Sequence, residues 1–423
     1  MIFLDFAIIF FVLITVLNYR VQRSVLYPPF IFCAVWLLDL VVMRLDLIEI
    51  NLVHGNTLTI VAAGATAFSV GGLFTSFTPR GLLSIHLLSN KPKRMPDFLR
   101  NTVTVVLLCC LPIMFYQTWK LGGGELNILE QARMAMIDSI QSESRSLPML
   151  ILGYFALFTI SASLLFATEK LDGKFWAVTG AAFVGCILTT GRTNLLTLIA
   201  GLSATRLLQK KQESLRDAML LLRWPIILFI VLFVGLIFVD KNTEGMAGGI
   251  SGTATYAVYS VLDYMEAPLA AFDNVVQHPA DFKMASSHIF EFPLRLAAAL
   301  RLTDYKMPPL LDSYTFVPFP TNVYTVFKFY FLELGIVGVL VLMCFIGLLH
   351  SMLYLKARQG GRFSIYLFAC FIFPLLMVTF DDWYYSISKY LYSIILGLVY
   401  FLIGSVNFRL LPARRSLSSR IAS

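Results

Sequence analysis

The chain has 423 residues, of which 58% are hydrophobic and only 14% are charged, and its mean hydropathy of +0.77 excludes an ordinary soluble domain. Its formal net charge of +8 gives little support for nucleic-acid binding, because the basic residues collect in short loops between apolar stretches.

The cysteines and the short motifs exclude further classes. All six cysteines fall in apolar stretches, where cysteine is typically a small packing residue rather than a disulfide partner or a metal ligand. The chain contains no CxxC motif, no His/Cys cluster and no Walker-type phosphate loop. We therefore expect no metal, no other cofactor and no nucleotide hydrolysis by this chain.

Apolar stretches of roughly 20 residues, the length of a membrane-spanning helix, recur from end to end. The first lacks a basic n-region and a small-residue cleavage site, so we interpret it as a retained span rather than a signal peptide. The sequence predicts an all-α polytopic membrane protein with about eleven (roughly 10–14) transmembrane helices. The predicted spans are 2–17, 30–48, 57–77, 102–119, 148–168, 175–190, 193–208, 223–239, 326–354, 363–380 and 386–404.

Lysine and arginine are concentrated in alternate loops, and such loops stay in the cytoplasm. This pattern predicts an N-terminus outside the cell membrane and a C-terminus in the cytoplasm. The turn at Gly191–Arg192 and the long segment 240–325 then lie on the outer side. The basic segments are 78–100, 209–223, 356–362 and the tail that follows Arg409.

The spans divide the chain into an N-terminal transmembrane bundle (1–239), a large, partly helical outer loop (240–325), and C-terminal transmembrane helices with a basic tail (326–423). Within the outer loop, Pro293 suits the first turn of a short helix. That helix would carry Arg295 and Arg301 among leucines and alanines at the membrane surface. At six positions apart, the two arginines do not share a helical face, so at most one points at a given ligand.

Arg192 stands in the stretch "TTGRTNLLTL", at the predicted start of a span. Thr193 or Asn194 could cap the following helix, whose N-terminal amide groups favour an anion. An arginine beside a helix N-terminus is electrostatically unfavourable by itself, and an anionic ligand between the two positive groups resolves the conflict. The alternative is an arginine that snorkels to the membrane surface.

His288 and Glu333 are the candidate proton acceptors. Histidine titrates near neutral pH and serves as a general base, whereas an ionisable group such as Glu333 inside a predicted span is a functional candidate by default. The alternative for His288 is a solvated or structural residue. The alternative for Glu333 is a structural ion pair with Lys328 or an arginine.

Two other polar groups have structural interpretations. Asp39 and Arg44 in the second span are predicted to form a structural pair. Asp381 and Asp382, in a short outer turn beside aromatic residues, are interpreted as an interfacial cap.

Three stretches, in this order along the chain, resemble the Wzy-type O-antigen (oligosaccharide repeat-unit) polymerases. They are "TTGRTNLLTL" (Thr189–Leu198), "YMEAPLAAFD" (Tyr264–Asp273) and "PTNVYTVFKFYFLELGIVG" (Pro320–Gly338). The resemblance covers nearly the full length, and the three motifs are fairly specific in this order and spacing. The chain departs from the family at Leu334, where Phe is frequent, and at Lys328, where a small or polar residue is common.

The resemblance implies an integral-membrane, metal-independent glycosyltransferase with a GT-C-like fold. The implied donor is a growing glycan on undecaprenyl pyrophosphate, and the acceptor is one repeat unit on a second lipid carrier. The reaction would occur at the outer face of the bacterial inner membrane, among its lipids. A chain-length regulator is a candidate partner, and nucleic acid is not expected.

On this interpretation Arg192, with Arg295 or Arg301, binds the pyrophosphate, because arginine is always charged and binds two oxygens together. His288 is the first choice for the base that activates the acceptor hydroxyl, and Glu333 is the second. The remaining predicted contacts are Thr193 and Asn194 for the pyrophosphate, and Asn322, Tyr324, Tyr264 and Asp273 for the glycan.

Three other functions compete with polymerisation. An O-antigen ligase would use the same donor and the same arginine but transfer the glycan to lipid A core. A flippase for lipid-linked oligosaccharide should show two similar halves and charges along a mid-membrane path, whereas this sequence shows no such repeat and gathers its polar residues on one side. A pure scaffold does not need outward arginines together with a histidine and an intramembrane glutamate.

Overall fold

The computed structural model describes residues 2–77, 96–123, 128–141, 147–189, 192–210, 249–282, 286–305, 312–384 and 387–405, with five single positions between 214 and 227. Within these residues the chain is mostly helical, and one small antiparallel hairpin joins β1 (Thr315–Phe316) to β2 (Pro320–Thr321). The helices are α1 (Ile2–Gln22), α2 (Pro28–Arg44), α3 (Gly55–Phe77), α4 (Asp97–Leu121), α5 (Ile128–Gln141), α6 (Leu147–Ala167), α7 (Gly173–Leu188), α8 (Arg192–Lys210), α9 (Gly249–Gln277), α10 (Glu291–Ala299), α11 (Phe327–Arg358), α12 (Arg362–Leu376) and α13 (Ile387–Ser405).

Five helices in the described part of the chain, α1, α3, α4, α6 and α11, are long and apolar enough to cross a membrane. Helices α7 and α12 are apolar but shorter. This composition agrees with the predicted helical membrane protein. Ten of the eleven predicted spans coincide with helices, and the eighth, 223–239, lies almost entirely outside the described residues.

Helices α3 and α11 form the central contact of the bundle, because glycines let their backbones approach closely. A Cβ atom at Gly71 would lie 1.9 Å from the Cys344 carbonyl oxygen, and one at Gly347 would lie 2.1 Å from the Phe68 carbonyl oxygen. Any side chain at either position would push the two helices apart. Helix α11 is itself broken at Gly335, whose φ of 64° and ψ of −162° are accessible essentially to glycine alone.

Helix α9 is the main element that the spans did not predict. It occupies part of the segment 240–325, which the sequence presents as hydrophilic. Its second half, including Ala267 and Phe272, is buried against α2, α3 and α11 in the largest hydrophobic cluster. Acidic residues lower the mean hydropathy of this helix, so a hydropathy scan does not detect it, although Glu266 and Asp273 are themselves buried.

The short connections fix the direction of each helix. Helices α4, α7 and α12 all begin at one end of the bundle, where Arg100, Asp172 and Arg362 lie together. We call this the Arg100 end and the opposite end, where α12 finishes, the His288 end. The Gln209 amide donates to the Ala167 carbonyl at the end of α6. Helix α8 therefore finishes at the Arg100 end and begins at the His288 end.

The predicted pair between Asp39 and Arg44 is wrong. Arg44 Nε donates to Asp5 Oδ1 at 2.6 Å, so this contact joins the end of α2 to the start of α1. The Asp39 carboxylate is buried, and among the residues that the structure describes neither of its oxygens has a hydrogen-bond partner. Five positions separate Asp39 from Arg44 on α2, and residues at that spacing point in different directions.

Candidate functional site

The segment that contains His288 is anchored to α11 by Glu333. One carboxylate oxygen accepts hydrogen bonds from the His288 and Ile289 backbone amides at 2.6 and 3.1 Å. The other accepts from the Ser287 hydroxyl at 2.5 Å. Glu333 thus uses both oxygens to hold the backbone on either side of the His288 side chain, so it acts as a positioning residue in this structure.

The alternative in which Glu333 forms a structural ion pair with Lys328 is wrong. Lys328 Nζ lies 2.9 Å from Asp312 Oδ2 and 3.6 Å above the centre of the Tyr324 ring. Five residues of α11 separate Lys328 from Glu333, so the two side chains leave the helix on different faces. Lys328 is buried, and its charge is compensated inside the 312–328 region.

The His288 imidazole lies between an aromatic ring and a carboxylate. It stacks on Phe329 with 3.7 Å between the ring centres, and its Nε2 atom lies 3.6 Å from Asp382 Oδ2. The other Asp382 oxygen accepts from the Tyr330 hydroxyl at 3.1 Å and from the Tyr384 amide at 3.0 Å. A fixed acid beside a histidine can orient the ring and stabilise its protonated form.

Asp382 differs from the interfacial cap that the sequence predicts, because its side chain is fully buried. Burial raises the pKa of Asp382 above its ordinary value, although the neighbouring His288 opposes this effect. Burial, together with the nearby charge of Asp382, also raises the pKa of Asp381 to about 7. For His288, burial alone would lower the pKa, but Asp382 and other nearby acids raise it above its ordinary value. The pKa values of all three groups are thus raised, and perturbed pKa values of this kind are common among groups that exchange protons.

We refer to His288, Tyr330, Glu333, Asp381 and Asp382 as the histidine cluster. It joins three separate parts of the chain: the turn before α10, the first turns of α11 and the connection after α12. Sequence analysis found His288 and Glu333 but missed the roles of Asp382 and Tyr330. The available signal was an acid pair directly after an apolar span, in a connection without lysine or arginine.

Tyr324 and Asn322, both predicted to contact glycan, lie between the hairpin and α11. The Tyr324 ring is buried beneath Lys328, and its hydroxyl donates to the Ser313 carbonyl at 2.8 Å. Tyr324 therefore supports the loop that carries Asp312. Asn322 is half-buried in the connection after β2.

Tyr264 and Asp273 lie on α9 and have different surroundings. The Tyr264 ring packs 5.4 Å from the Phe380 ring, directly beside the Asp381–Asp382 turn. The Asp273 carboxylate is buried and accepts from the Thr57 hydroxyl at 2.5 Å and the His54 amide at 3.2 Å. Asp273 thus fixes α9 to the start of α3, whereas Tyr264 borders the histidine cluster.

Arg192 is the first residue of α8, and its side chain lies outside the described part of the structure. A Cβ atom at Gly201 would lie 2.9 Å from the Ala369 carbonyl oxygen, which sets the level of α8 against α12. Nine residues earlier, α8 begins ~14 Å closer to the His288 end. The backbone of Arg192 is therefore level with the end of α12 and the turn that carries Asp382.

Thr193 and Asn194 lie inside the first turn of α8, so the prediction that one of them caps this helix is wrong. Helix formation already includes Arg192, one residue earlier than the predicted span. The Asn194 amide donates to the Thr189 hydroxyl at 3.2 Å and joins the start of α8 to the end of α7. The Thr193 carbonyl accepts from the Thr197 hydroxyl at 2.7 Å, a contact within the helix.

Arg295 and Arg301 are separated by the end of α10. The predicted short helix with Pro293 in its first turn is confirmed, and in it Arg295 Nη1 lies 2.9 Å from Glu291 Oε1. The prediction that Arg301 belongs to the helix is wrong, since α10 ends at Ala299 and Arg301 has a φ of 58°. Arg301 is exposed, whereas the charge of Arg295 is partly compensated by Glu291.

A second charged cluster, Arg100, Glu169, Asp172 and Arg362, lies at the Arg100 end. The Arg100 guanidinium donates twice to Asp172, at 2.8 and 3.0 Å, and lies 3.3 Å from Glu169. Arg362 lies 4.0 Å from the other Glu169 oxygen. Two cations face two carboxylates, so this arginine cluster is electrically balanced. Among the residues that the structure describes, no group of three or more His, Cys, Asp or Glu side chains could hold a metal ion.

Comparisons of the chain with protein-family models, with curated proteins and with solved structures find no match.

Proposed function

We propose that this protein polymerises oligosaccharide repeat units carried on undecaprenyl pyrophosphate, and that the histidine cluster is the centre of glycosyl transfer. The resemblance of three ordered motifs to Wzy-type polymerases supports this function. The observation that carries it is the contact between His288 and Asp382, which joins a histidine to a buried acid at one end of a membrane bundle.

In the proposed reaction, a hydroxyl of the acceptor repeat unit attacks the anomeric carbon of the donor glycan. The new glycosidic bond forms as the bond to the lipid pyrophosphate breaks, and the pyrophosphate leaves with the bonding electrons. His288 accepts the hydroxyl proton, and Asp382 stabilises the resulting imidazolium. A positioned base typically contributes about 10²–10⁴-fold to the rate. A single displacement of this kind inverts the anomeric carbon.

Glu333 has a positioning role in this proposal. Glu333 accepts hydrogen bonds from the backbone amides of His288 and Ile289 and so holds the turn. The His288 imidazole then faces Asp382. The base assignment therefore favours His288 over Glu333, in agreement with the first choice from sequence.

The leaving pyrophosphate is assigned to Arg192 and Arg301. Arg192 starts a helix level with the Asp382 turn, and the N-terminal amides of that helix also favour an anion. Arg301 is the better second arginine because Glu291 already compensates Arg295. Arginines that neutralise charge on the leaving group stabilise the transition state by several kcal/mol, roughly 2.7–4 for one lost donor in comparable cases.

In this proposal the fold is GT-C-like, with about eleven transmembrane helices, and the protein lies in the bacterial inner membrane. The His288 end faces the periplasm, and the C-terminus lies in the cytoplasm. The direction of the helices supports this orientation, since α8 and α11 both finish at the Arg100 end with basic residues, Lys210 on α8 and Lys356 and Arg358 on α11.

The proposal is tested by the surface glycan of a deletion strain. Loss of a polymerase leaves lipid A core that carries a single repeat unit. Loss of a ligase instead leaves polymer on its lipid carrier, and loss of a flippase leaves repeat units on the cytoplasmic side. Either of the last two patterns would overturn the proposal.

Complementation of the deletion strain then tests the arginine. Arg192→Ala should abolish polymer at a normal level of inserted protein, and Arg192→Lys should also be poor, because lysine cannot bind two oxygens in one plane. Arg206→Ala is the matched control on the same helix, toward the Arg100 end, and should restore the polymer. A normal ladder of polymer lengths in the Arg192→Ala strain would contradict the assignment of Arg192 to the pyrophosphate site.

A further inference from the structure

Helix α10 and the residues around it expose an apolar surface in the middle of an otherwise polar segment. Phe292, Leu296 and Leu300 follow one another at four-residue intervals, so they form a stripe along the helix. Their side chains are between 39% and 62% exposed, and Leu302 beyond the helix is 75% exposed. None of the residues of α10 is buried. An apolar stripe of this kind in a monomer indicates an interaction surface.

The depth of α10 follows from its attachment to α11. Glu333, which binds the backbone just before α10, is the seventh residue of α11. No Asp, Glu, Lys or Arg occurs between Glu333 and Lys356 near the other end of the helix. A bilayer core takes about 20 helical residues, and counting back that number from Lys356 reaches Ile336. Glu333 therefore lies at the border between the hydrocarbon core and the lipid headgroups.

The apolar stripe of α10 lies at the same level along the membrane normal as an exposed apolar side of α11. Directly after Glu333, Leu334, Ile336 and Val337 are between 44% and 65% exposed. They begin the most hydropathic of the candidate membrane spans. The same hydrocarbon that covers these residues is thus available, at the same level, to the side chains of α10.

We propose that α10 lies in the plane of the membrane interface, with Phe292, Leu296 and Leu300 inserted among the lipid acyl chains. The adjacent stripe of the helix carries the Glu291–Arg295 ion pair, which suits the headgroup layer. Arg301, two residues beyond the end of the helix, is exposed and can contact lipid phosphate. This surface assignment does not depend on the proposed reaction. In this arrangement the surface of the bilayer borders the histidine cluster on the side of α10.

The test uses the full-length protein in lipid bilayers with brominated acyl chains, which quench tryptophan only at short range. Leu296→Trp replaces one exposed apolar residue by another, so the fold is retained, and Leu300→Trp is a second probe on the same stripe. His278→Trp is the matched control, because His278 is exposed in the turn after α9. The chain already contains five tryptophans. The emission of each added tryptophan is therefore obtained by subtracting the fluorescence of the parent protein from that of the variant.

Bromine should reduce the emission of a tryptophan at 296 or 300 at least twofold, while aqueous iodide should have little effect on it. The control at 278 should show the reverse pattern. Quenching of the 296 and 300 probes by iodide but not by bromine would overturn the proposal, because the helix would then face water. Equal quenching of all three positions by bromine would overturn it as well, because the surface would then not be specific to α10.

Discussion

The two ends of α12 carry charged clusters of opposite character. At the Arg100 end, two arginines face two carboxylates, and Arg100 donates two parallel hydrogen bonds to Asp172. At the His288 end, the buried Asp382 and the half-buried Asp381 face one histidine, while the described donors to Glu333 are neutral. One cluster is balanced by permanent cations, and the other has more acids than cations.

This difference in charge balance separates a structural cluster from a candidate chemical site. Arginine stays protonated at all physiological pH values, so the arginine cluster has one charge state and holds α4, α6, α7 and α12 together. The histidine cluster contains three groups whose pKa values are raised above their ordinary values. A cluster of titratable groups with such shifts can accept and release a proton, which makes it a candidate chemical site.

The largest expected effect comes from Arg100→Met. Removal of the guanidinium takes the nearer arginine away from the buried Glu169 side chain, leaves Arg362 4.0 Å away, and leaves Asp172 without its bidentate partner. We expect a loss of about 3–5 kcal/mol in the free energy of unfolding, as for other buried pairs that lose one partner. Thermal unfolding in detergent or nanodiscs measures this loss.

Lys174→Met is the matched control for that prediction. Lys174 lies 3.4 Å from the exposed Asp97 at the same end of the bundle. An exposed pair contributes roughly 0–1 kcal/mol, so the control should unfold nearly as the parent does. If Arg100→Met were equally mild, the arginine cluster would not hold the helices together.

Asp382→Asn should reduce polymerisation at least tenfold, with little effect on the amount of inserted protein. Asparagine keeps the size of aspartate but cannot stabilise the protonated His288. Without Asp382, the pKa of His288 falls toward or below its ordinary value. The rise of activity with pH, which reports the deprotonation of the base, should therefore move to lower pH. A pH–rate profile of the purified protein measures both effects.

Asp304→Asn, an exposed change in the same outer segment, should alter neither the rate nor the profile. A merely structural role for Asp382 would lower the rate through loss of protein and leave the pH dependence of the remaining activity unchanged. That outcome would show that Asp382 does not act through the protonation of His288.

A smaller effect is expected in the dependence of stability on pH. Asp381 has a pKa of about 3.9 in an unfolded chain, and folding raises its pKa to about 7. Between these values the folded protein binds a proton that the unfolded chain has released, so stability falls as the pH rises from about 4 to about 7. The raised pKa of His288 acts in the same direction.

The unfolding midpoint should therefore decrease by a few degrees between pH 5 and pH 7.5, and Asp381→Asn should flatten this slope. The exposed Asp281→Asn is the control and should keep the slope of the parent. A midpoint that rises with pH in the parent would contradict the burial of neutral acid in the histidine cluster.

Hydropathy predicted most of the bundle because a membrane-spanning helix must satisfy its backbone internally and cover its surface with apolar side chains. Helix α9 escaped this rule. Its acidic residues lower the mean hydropathy, although Asp273 is buried against Thr57 of α3 and contacts His54, the residue before α3. A scan along one chain cannot detect a partner more than 200 residues away.

The candidate site was predictable only where one residue carried the signal. His288, Glu333 and Arg192 were identified from residue type and span position. The acid beside His288 was not, because Asp382 is 94 residues further along the chain and only the antiparallel course of α11 and α12 brings it there. Likewise, the partner of Lys328 proved to be Asp312 in the preceding loop, not Glu333 on the same helix.

The most direct test of the central claim is polymerisation by the purified protein in nanodiscs, supplied only with the undecaprenyl-pyrophosphate-linked repeat unit. The parent protein and His278→Ala should both form products of two or more units, whereas His288→Ala should form them at least about 100-fold more slowly. A parent protein that leaves the repeat unit unchanged, or a His288→Ala variant that elongates it at the parent rate, would contradict glycosyl transfer at the histidine cluster.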